Sequence, residues 1–131
     1  MSRVLALDYG EARCGAAVSD PTGTLATPLS AVERPATRRG LDRVVALVRA
    51  QGAERVVVGL PLTLSGEEGP QAEETRRFAE RLAERVGVPV DLHDERLTTR
   101  QAERSGGRAD ADSRAAAVLL ESYLARLERS R

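Results

Sequence analysis

Apolar residues follow two patterns along this chain. Short continuous runs bounded by Gly, Pro or acidic residues read as strands, and apolar positions recurring three and four apart read as helices. The stretch Arg3 to Ser19 is an apolar run that ends in Asp8, passes through a Gly-containing turn with Arg13, and enters a second apolar run. It predicts two short strands joined at a carboxylate. Asp20-Pro21-Thr22-Gly23 is a turn signal, and Thr24 to Val32 predicts a third strand, with Pro28 placing it at a sheet edge or strand end. From Arg38 to Gln51, Leu41, Val44, Val45 and Val48 define one helical face, closed by Gly52. Arg55 to Gly59 is a β-branched run of the kind found in a strand covered on both faces. Leu60 to Pro70 is a long loop, and a helix follows over Gln71 to Val86 with Phe78, Leu82 and Val86 four apart, stopped by Gly87. Val88 to His93 predicts another strand, ended by Asp94-Glu95-Arg96. Thr98 with Gln101 forms a capping-box signature for a short helix. Arg104 to Ala111 is Gly-rich and charged, and Asp112 to Leu127 predicts a final helix with Ala116, Leu119, Leu120, Tyr123, Leu124 and Leu127 on one face.

The predicted order is β-β-β-α-β-α-β-α, with a small helix before the last. Strands separated by helices pair in parallel through right-handed crossovers, and the first three form an antiparallel meander. The expected fold class is therefore α/β, a mixed five-stranded sheet with helices on both faces, in one domain spanning 1–131. Composition agrees: with no Trp, one Phe and two Tyr, the core has to be built from Val, Leu and Ala. Twenty basic and twenty acidic residues cancel, which argues against broad, unselective polyanion binding and leaves room for a local basic patch. Every basic residue is Arg, spread over the whole chain, in keeping with a base composition that favours Arg codons. One cysteine, Cys14, excludes an intrachain disulfide, and no apolar run is long enough to cross a bilayer or act as a leader. A cytoplasmic protein is expected, with Cys14 a small core residue.

Three acidic positions stand out by placement: Asp8 at the end of the first strand, Asp94/Glu95 at the end of the last, and Asp112 at the start of the last helix. Carboxylates converging from separate elements suit hard divalent cations, Mg2+ or Mn2+. Strand parity puts Val90, Leu92 and Asp94 on one face and Asp91, His93 and Glu95 on the other, without saying which acid faces Asp8. Asp112 is equally well placed as an N-cap. His93 reads as a half-buried strand histidine with a hydrogen-bonded neighbour, and Gly59-Leu60-Pro61 as a shape-determining turn.

LALDYGEARCGAAVSD, VVVGLPLTLSGEEGPQAEETRRFAERL, VDLHDERLTTRQAE and DSRAAAVLLESYL, in that order and spacing, resemble the successive blocks of the YqgF family, also called RuvX. The resemblance covers nearly the whole chain. It implies a ribonuclease H-like fold and a nuclease that matures the 5′ end of pre-16S ribosomal RNA or cuts Holliday junctions in DNA. It also implies that Asp8, Glu95 and Asp112 are the catalytic metal ligands, and so chooses Glu95 over Asp94 and Asp112 over Asp110. Arg13 and Arg96 match positions that could hold a substrate phosphate through their fork of donors, or instead bridge to nearby acids. The chain departs from the pattern between Ser105 and Ala111, which lacks the Lys-rich character of that loop in many relatives.

The expected function is thus a two-metal phosphodiesterase acting on pre-rRNA or branched DNA, a hydrolase with nucleic acid and no membrane as its partner. A junction-resolving enzyme is expected to form a homodimer, so that two sites cut symmetrically. A non-catalytic RNA-binding module is the competing class, served poorly by three acids that repel phosphate. Phosphotransfer on the related actin-like core is another, but it calls for a second domain.

Overall fold

The computed structural model describes residues 3–96 and 111–129, so the expected short helix from Thr98 and the Gly-rich segment up to Asp110 lie outside the described residues. Five strands, β1 (Val4–Asp8), β2 (Arg13–Ser19), β3 (Ala26–Glu33), β4 (Arg55–Leu60) and β5 (Val90–Asp94), form one sheet in the order β3-β2-β1-β4-β5. Three helices, α1 (Arg38–Ala50), α2 (Pro70–Val86) and α3 (Ala111–Arg129), complete the fold. The β1–β2 and β2–β3 pairs are antiparallel, while β1–β4 and β4–β5 are parallel. This is the mixed sheet that the sequence pattern predicts.

Alternation along the strands sorts two cores. Leu5, Leu7, Val56 and Val58 face α1 and α2, where they meet Leu41, Val44, Val45, Val48, Phe78 and Leu82. Val4, Ala6, Ala17 and Val57 face α3 and meet Ala116, Leu119, Leu120 and Tyr123. Because β4 is covered on both faces, its run of Val is continuous rather than alternating with polar residues. Pro28 falls in the edge strand β3, where a missing donor is tolerated.

Local signals fix the element ends. Thr37 caps α1 by accepting the Gly40 N–H at 3.0 Å. Pro70 occupies the first turn of α2, and Gly87 ends that helix at φ 71°, a left-handed conformation that glycine adopts without strain. Several boundaries differ from expectation by one or two residues. β5 starts at Val90 rather than Val88, since Pro89 has no N–H to give and only its carbonyl pairs, with Val56 N–H at 2.9 Å. Leu60 extends β4 by one residue, paired with Asp94, so the expected Gly59-Leu60-Pro61 turn is strand up to Leu60. Asp112 is likewise not an N-cap, since it lies within α3.

α3 is held across the sheet by polar contacts on its buried side. Tyr123 donates its hydroxyl to Asp91, which also pairs with Arg55 at 2.6 Å, and Ser122 Oγ lies 3.0 Å from His93 Nε2. His93 is therefore the buried, hydrogen-bonded strand histidine expected. Burial, followed by the Arg126 charge, holds its pKa below the usual value. Cys14 is fully buried, and burial pushes its thiol far up, which leaves it inert at neutral pH.

Candidate active site

Asp8 ends the central strand, and glycines make the room around it. Its partner on β2 is Gly15. On the other side, Leu7 pairs with Val58, so the residue next along β4 is Gly59. These two glycines admit the other two acids. A Cβ at position 15 would run into the Asp112 carbonyl and lie 2.8 Å from the Ser113 nitrogen, so the first turn of α3 rests directly on the β2 backbone. A Cβ at position 59 would run into the Glu95 carboxylate and lie 3.1 Å from Leu119 Cδ2. Glycine in a strand interior weakens the strand, and here it marks two close approaches.

The β2–β3 register shifts beside Gly15, between Cys14 and Ala16, where β3 carries an extra residue between Leu29 and Val32. Bulges of this kind bend a strand and free backbone groups from the ladder. The Ala16 N–H donates to the buried Ser113 Oγ at 3.3 Å, which anchors α3 one residue past Asp112. Glu95 follows β5 directly, and its N–H donates to the Leu60 carbonyl at 3.3 Å. The parity argument holds: Leu92 joins the core under α1 and α2, while Asp91 and His93 face α3, as does the Glu95 side chain over Gly59.

The charges show how close the three acids are. Burial raises the Asp8 pKa to about 6; its hydrogen bond with Glu95 pulls the other way, and the Asp112 charge raises it again. Glu95 is pushed to about 8 by burial first, then by the Asp8 charge and their shared hydrogen bond, with Asp94 adding to it. The pair therefore titrates as a unit and holds one proton between its carboxylates near neutrality. Asp112 has a different neutraliser, since Arg13 Nε donates to its Oδ2 at 3.0 Å.

All the donors are oxygens, as hard divalent cations prefer, and burial disfavours the bare charges. A proton and a guanidinium now do the neutralising that a cation would do, so the residues fit Mg2+ or Mn2+. Among the described residues, no three His, Cys, Asp or Glu side chains are already drawn together as a finished chelating set. Cation binding would have to displace the shared proton and loosen the Arg13 bridge.

One prediction follows for the metal-free protein. A carboxyl group whose folded pKa is raised binds protons better in the folded chain than in the unfolded one, so its stabilisation is complete at low pH and is lost as pH rises through the folded value. His93, with a lowered pKa, acts in the opposite sense below its ordinary value of 6.5. The clear window is therefore about pH 6.5 to 8.5, where Glu95 titrates. In chelator, the thermal midpoint should fall across this window, and Glu95→Gln should flatten the fall. A wild-type midpoint that stays level or rises would remove the shared proton from the description.

The two candidate phosphate-binding arginines are both bridged to acids. Arg13 pairs with Asp112, and Arg96 pairs with Asp94 at 2.6 Å while also reaching the Leu64 carbonyl at 3.4 Å. Arg96 thereby straps the long loop after β4 to the strand end that carries Glu95. That loop is internally bonded: Thr63 N–H donates to Glu67 O at 2.9 Å, and Glu68 pairs with Arg76 at 2.7 Å. Tyr9, next to Asp8, donates to Glu74 at 2.8 Å and stacks on Phe78, which ties α2 to the end of β1. Ser113 and Gly15 are contributors that sequence patterning did not single out, and Gly59 figures there only as the end of a strand and part of a turn. The available signal was glycine inside an otherwise apolar strand, beside a carboxylate.

Comparison with known proteins places this arrangement. Residues 2–126 match the RuvX family, described as Holliday junction resolvase. A Chloroflexus aurantiacus protein named "Putative pre-16S rRNA nuclease" is 44% identical over 130 residues, covering 92% of this chain and 85% of the relative. A protein of the same name from Syntrophus aciditrophicus is 44% identical over 131 residues, covering 93% and 87%. Among solved structures, Thermus thermophilus RuvC in complex with Holliday junction substrate superposes with a TM-score of 0.61 at 17% identity, covering 95% of this chain and 96% of that one. The fowlpox virus Holliday junction resolvase gives 0.54 at 13% identity, covering 95% and 99%. At those identities the structural likenesses establish the fold alone, which is RuvC-like and ribonuclease H-like. With the family match running through all three acid-bearing elements, this chain belongs to the RuvX (YqgF) family of nucleases.

Proposed function

We propose that this chain is a divalent-cation-dependent phosphodiesterase that trims the 5′ side of pre-16S ribosomal RNA in the cytoplasm. The observation that carries the reading is the meeting of Asp8, Glu95 and Asp112, from the first strand, the last strand and the last helix, close enough that the Asp112 charge raises the Asp8 pKa and the Asp8 charge raises that of Glu95. The names carried by relatives over nearly the full length of the chain supply the substrate.

Asp8, Glu95 and Asp112 would hold two Mg2+ or Mn2+ ions. Bound there, such ions activate a water for in-line attack on phosphorus and stabilise the leaving 3′ oxygen. The chain's own residues do the positioning. Gly15 and Gly59 let the flanking carboxylates approach Asp8, and Ser113 fixes the first turn of α3. Arg13, 61% exposed in its side chain, stands at Asp112, where a scissile phosphate would arrive. Arg96 holds the loop after β4 in place beside Glu95.

Junction resolution is the second reading, favoured by the family's description, and it calls for a homodimer with paired sites. The deciding experiment offers an end-labelled pre-16S RNA fragment and a four-way DNA junction to the protein with Mn2+ or with chelator. Shortening of the RNA that chelator abolishes is the expected result. Paired symmetric nicks in the junction would support the second reading, and no cleavage of either substrate with metal present would overturn both.

A further inference from the structure

A run of arginines without ion pairs among the described residues lies where β3 enters α1, on the face of the sheet opposite α3 and reaching the turn after Asp8. Arg34, Arg39 and Arg43 line a groove of about 360 Å³ with Glu33, Thr37 and Gly40, where β3 passes into α1. All three are exposed, and none forms an ion pair among the described residues. The groove adjoins a second depression of about 610 Å³ that shares Arg34 and Thr37 and reaches Glu11 and Ala12, in the turn that follows Asp8. Backbone contacts join the two regions: Arg34 N–H donates to the Ala12 carbonyl at 2.9 Å, and Arg13 pairs across the strands with Glu33.

Each arginine sits where local physics disfavours it. Arg34 has φ 45°, a left-handed conformation that non-glycine residues adopt at a cost, and it is held there because its carbonyl accepts both the N–H and the hydroxyl of Thr37. Arg39 stands in the first turn of α1, at the positive end of the helix dipole, in a turn that holds no acid. Arg43 follows four residues later, so two like charges share one helix face. A bound polyanion would relieve the last two conflicts, and local rules broken together in one place mark functional surfaces.

We propose that this groove is a second polynucleotide contact, in which Arg34, Arg39 and Arg43 take phosphates of a strand whose scissile bond lies at the carboxylates. It goes beyond the nuclease reading, because it assigns a binding surface whose occupancy does not depend on cleavage. The near-zero net charge is consistent with a confined patch of this kind.

The test measures binding of labelled single-stranded RNA and of a four-way DNA junction by anisotropy over a salt series. It uses Asp8→Asn protein in Mg2+, so that cleavage does not intervene. Adding Arg34→Gly, Arg39→Gln and Arg43→Gln should weaken binding of at least one substrate by about 30-fold and lower the salt slope by about 2. The more affected substrate identifies the natural strand. A charge-matched control, Arg49→Gln with Arg77→Gln and Arg129→Gln, should change binding by no more than about 3-fold. Arg34→Gly alone should weaken binding while the thermal midpoint holds or rises, since glycine accepts that backbone conformation. Equal losses from groove and control variants would overturn the proposal, as would poly-glutamate of matched charge competing as well as RNA. The nuclease reading is tested separately, since loss of cleavage on Asp8→Asn with an unaffected groove would leave that reading standing and remove this one.

Discussion

Asp8→Asn is expected to lower metal-dependent cleavage by roughly a thousandfold and, in chelator at pH 8, to raise the thermal midpoint. The two effects have one cause. In the folded chain Asp8 is largely buried between Gly15 and Gly59, with Glu95 against it and the Asp112 charge near, and its pKa is raised accordingly. Near pH 8 the folded state must hold two crowded carboxylates with little water, which is unfavourable without a cation. An asparagine removes one charge and can donate to Glu95, so the metal-free fold should gain about 1–2 kcal/mol, or roughly 5 °C in midpoint. Opposite changes in activity and stability are the signature of a site strained for its chemistry. The measurements are cleavage of end-labelled RNA with Mn2+ and calorimetry in chelator. If Asp8→Asn lowers stability and activity together, Asp8 is a structural residue and the proposed ligand set falls.

The second large effect belongs to Gly15→Ala. A single methyl there meets backbone on all the nearest sides: the Asp112 carbonyl and the Ser113 nitrogen at 2.8 Å. No flexible side chain can move aside, so α3 has to lift from β2 and the Ala16 to Ser113 hydrogen bond has to break. Strain against a packed backbone, with a buried donor left without its partner, should cost about 3 kcal/mol or more. We expect a midpoint lowered by about 10 °C and cleavage lost even well below that midpoint, because Asp112 moves with the helix. A midpoint within about 2 °C of wild type would show that α3 is not seated as described.

The sheet was legible because each element carries its own period. β4 reads as a doubly covered strand from Val56, Val57 and Val58, and α1 from Leu41, Val44, Val45 and Val48, and both appear where the pattern puts them. The site was legible only in part. Placement alone offered Asp94 and Glu95 equally and gave Asp112 an ordinary capping role, and the family resemblance chose between them. What patterning does not carry is the meeting of backbones. The seat of α3 on Gly15 and the lodging of Glu95 over Gly59 arise between elements far apart in sequence. Arg13 and Arg96 show a related limit. Sequence left each with two roles, and the structure pairs both with acids, Asp112 and Asp94.

The Arg13 to Asp112 bridge joins residues 99 positions apart, and Glu95 sits between them in the chain. Contacts of such long range are among the last to form, because a long loop has to close before any of them can be made. Until α3 docks, Asp8 and Glu95 lack their third partner. A newly made or partly unfolded chain would therefore hold no finished cutting centre. On the proposed ligand set, hydrolysis would be the final reporter of folding, and a chain that has not closed would leave the RNA around it uncut.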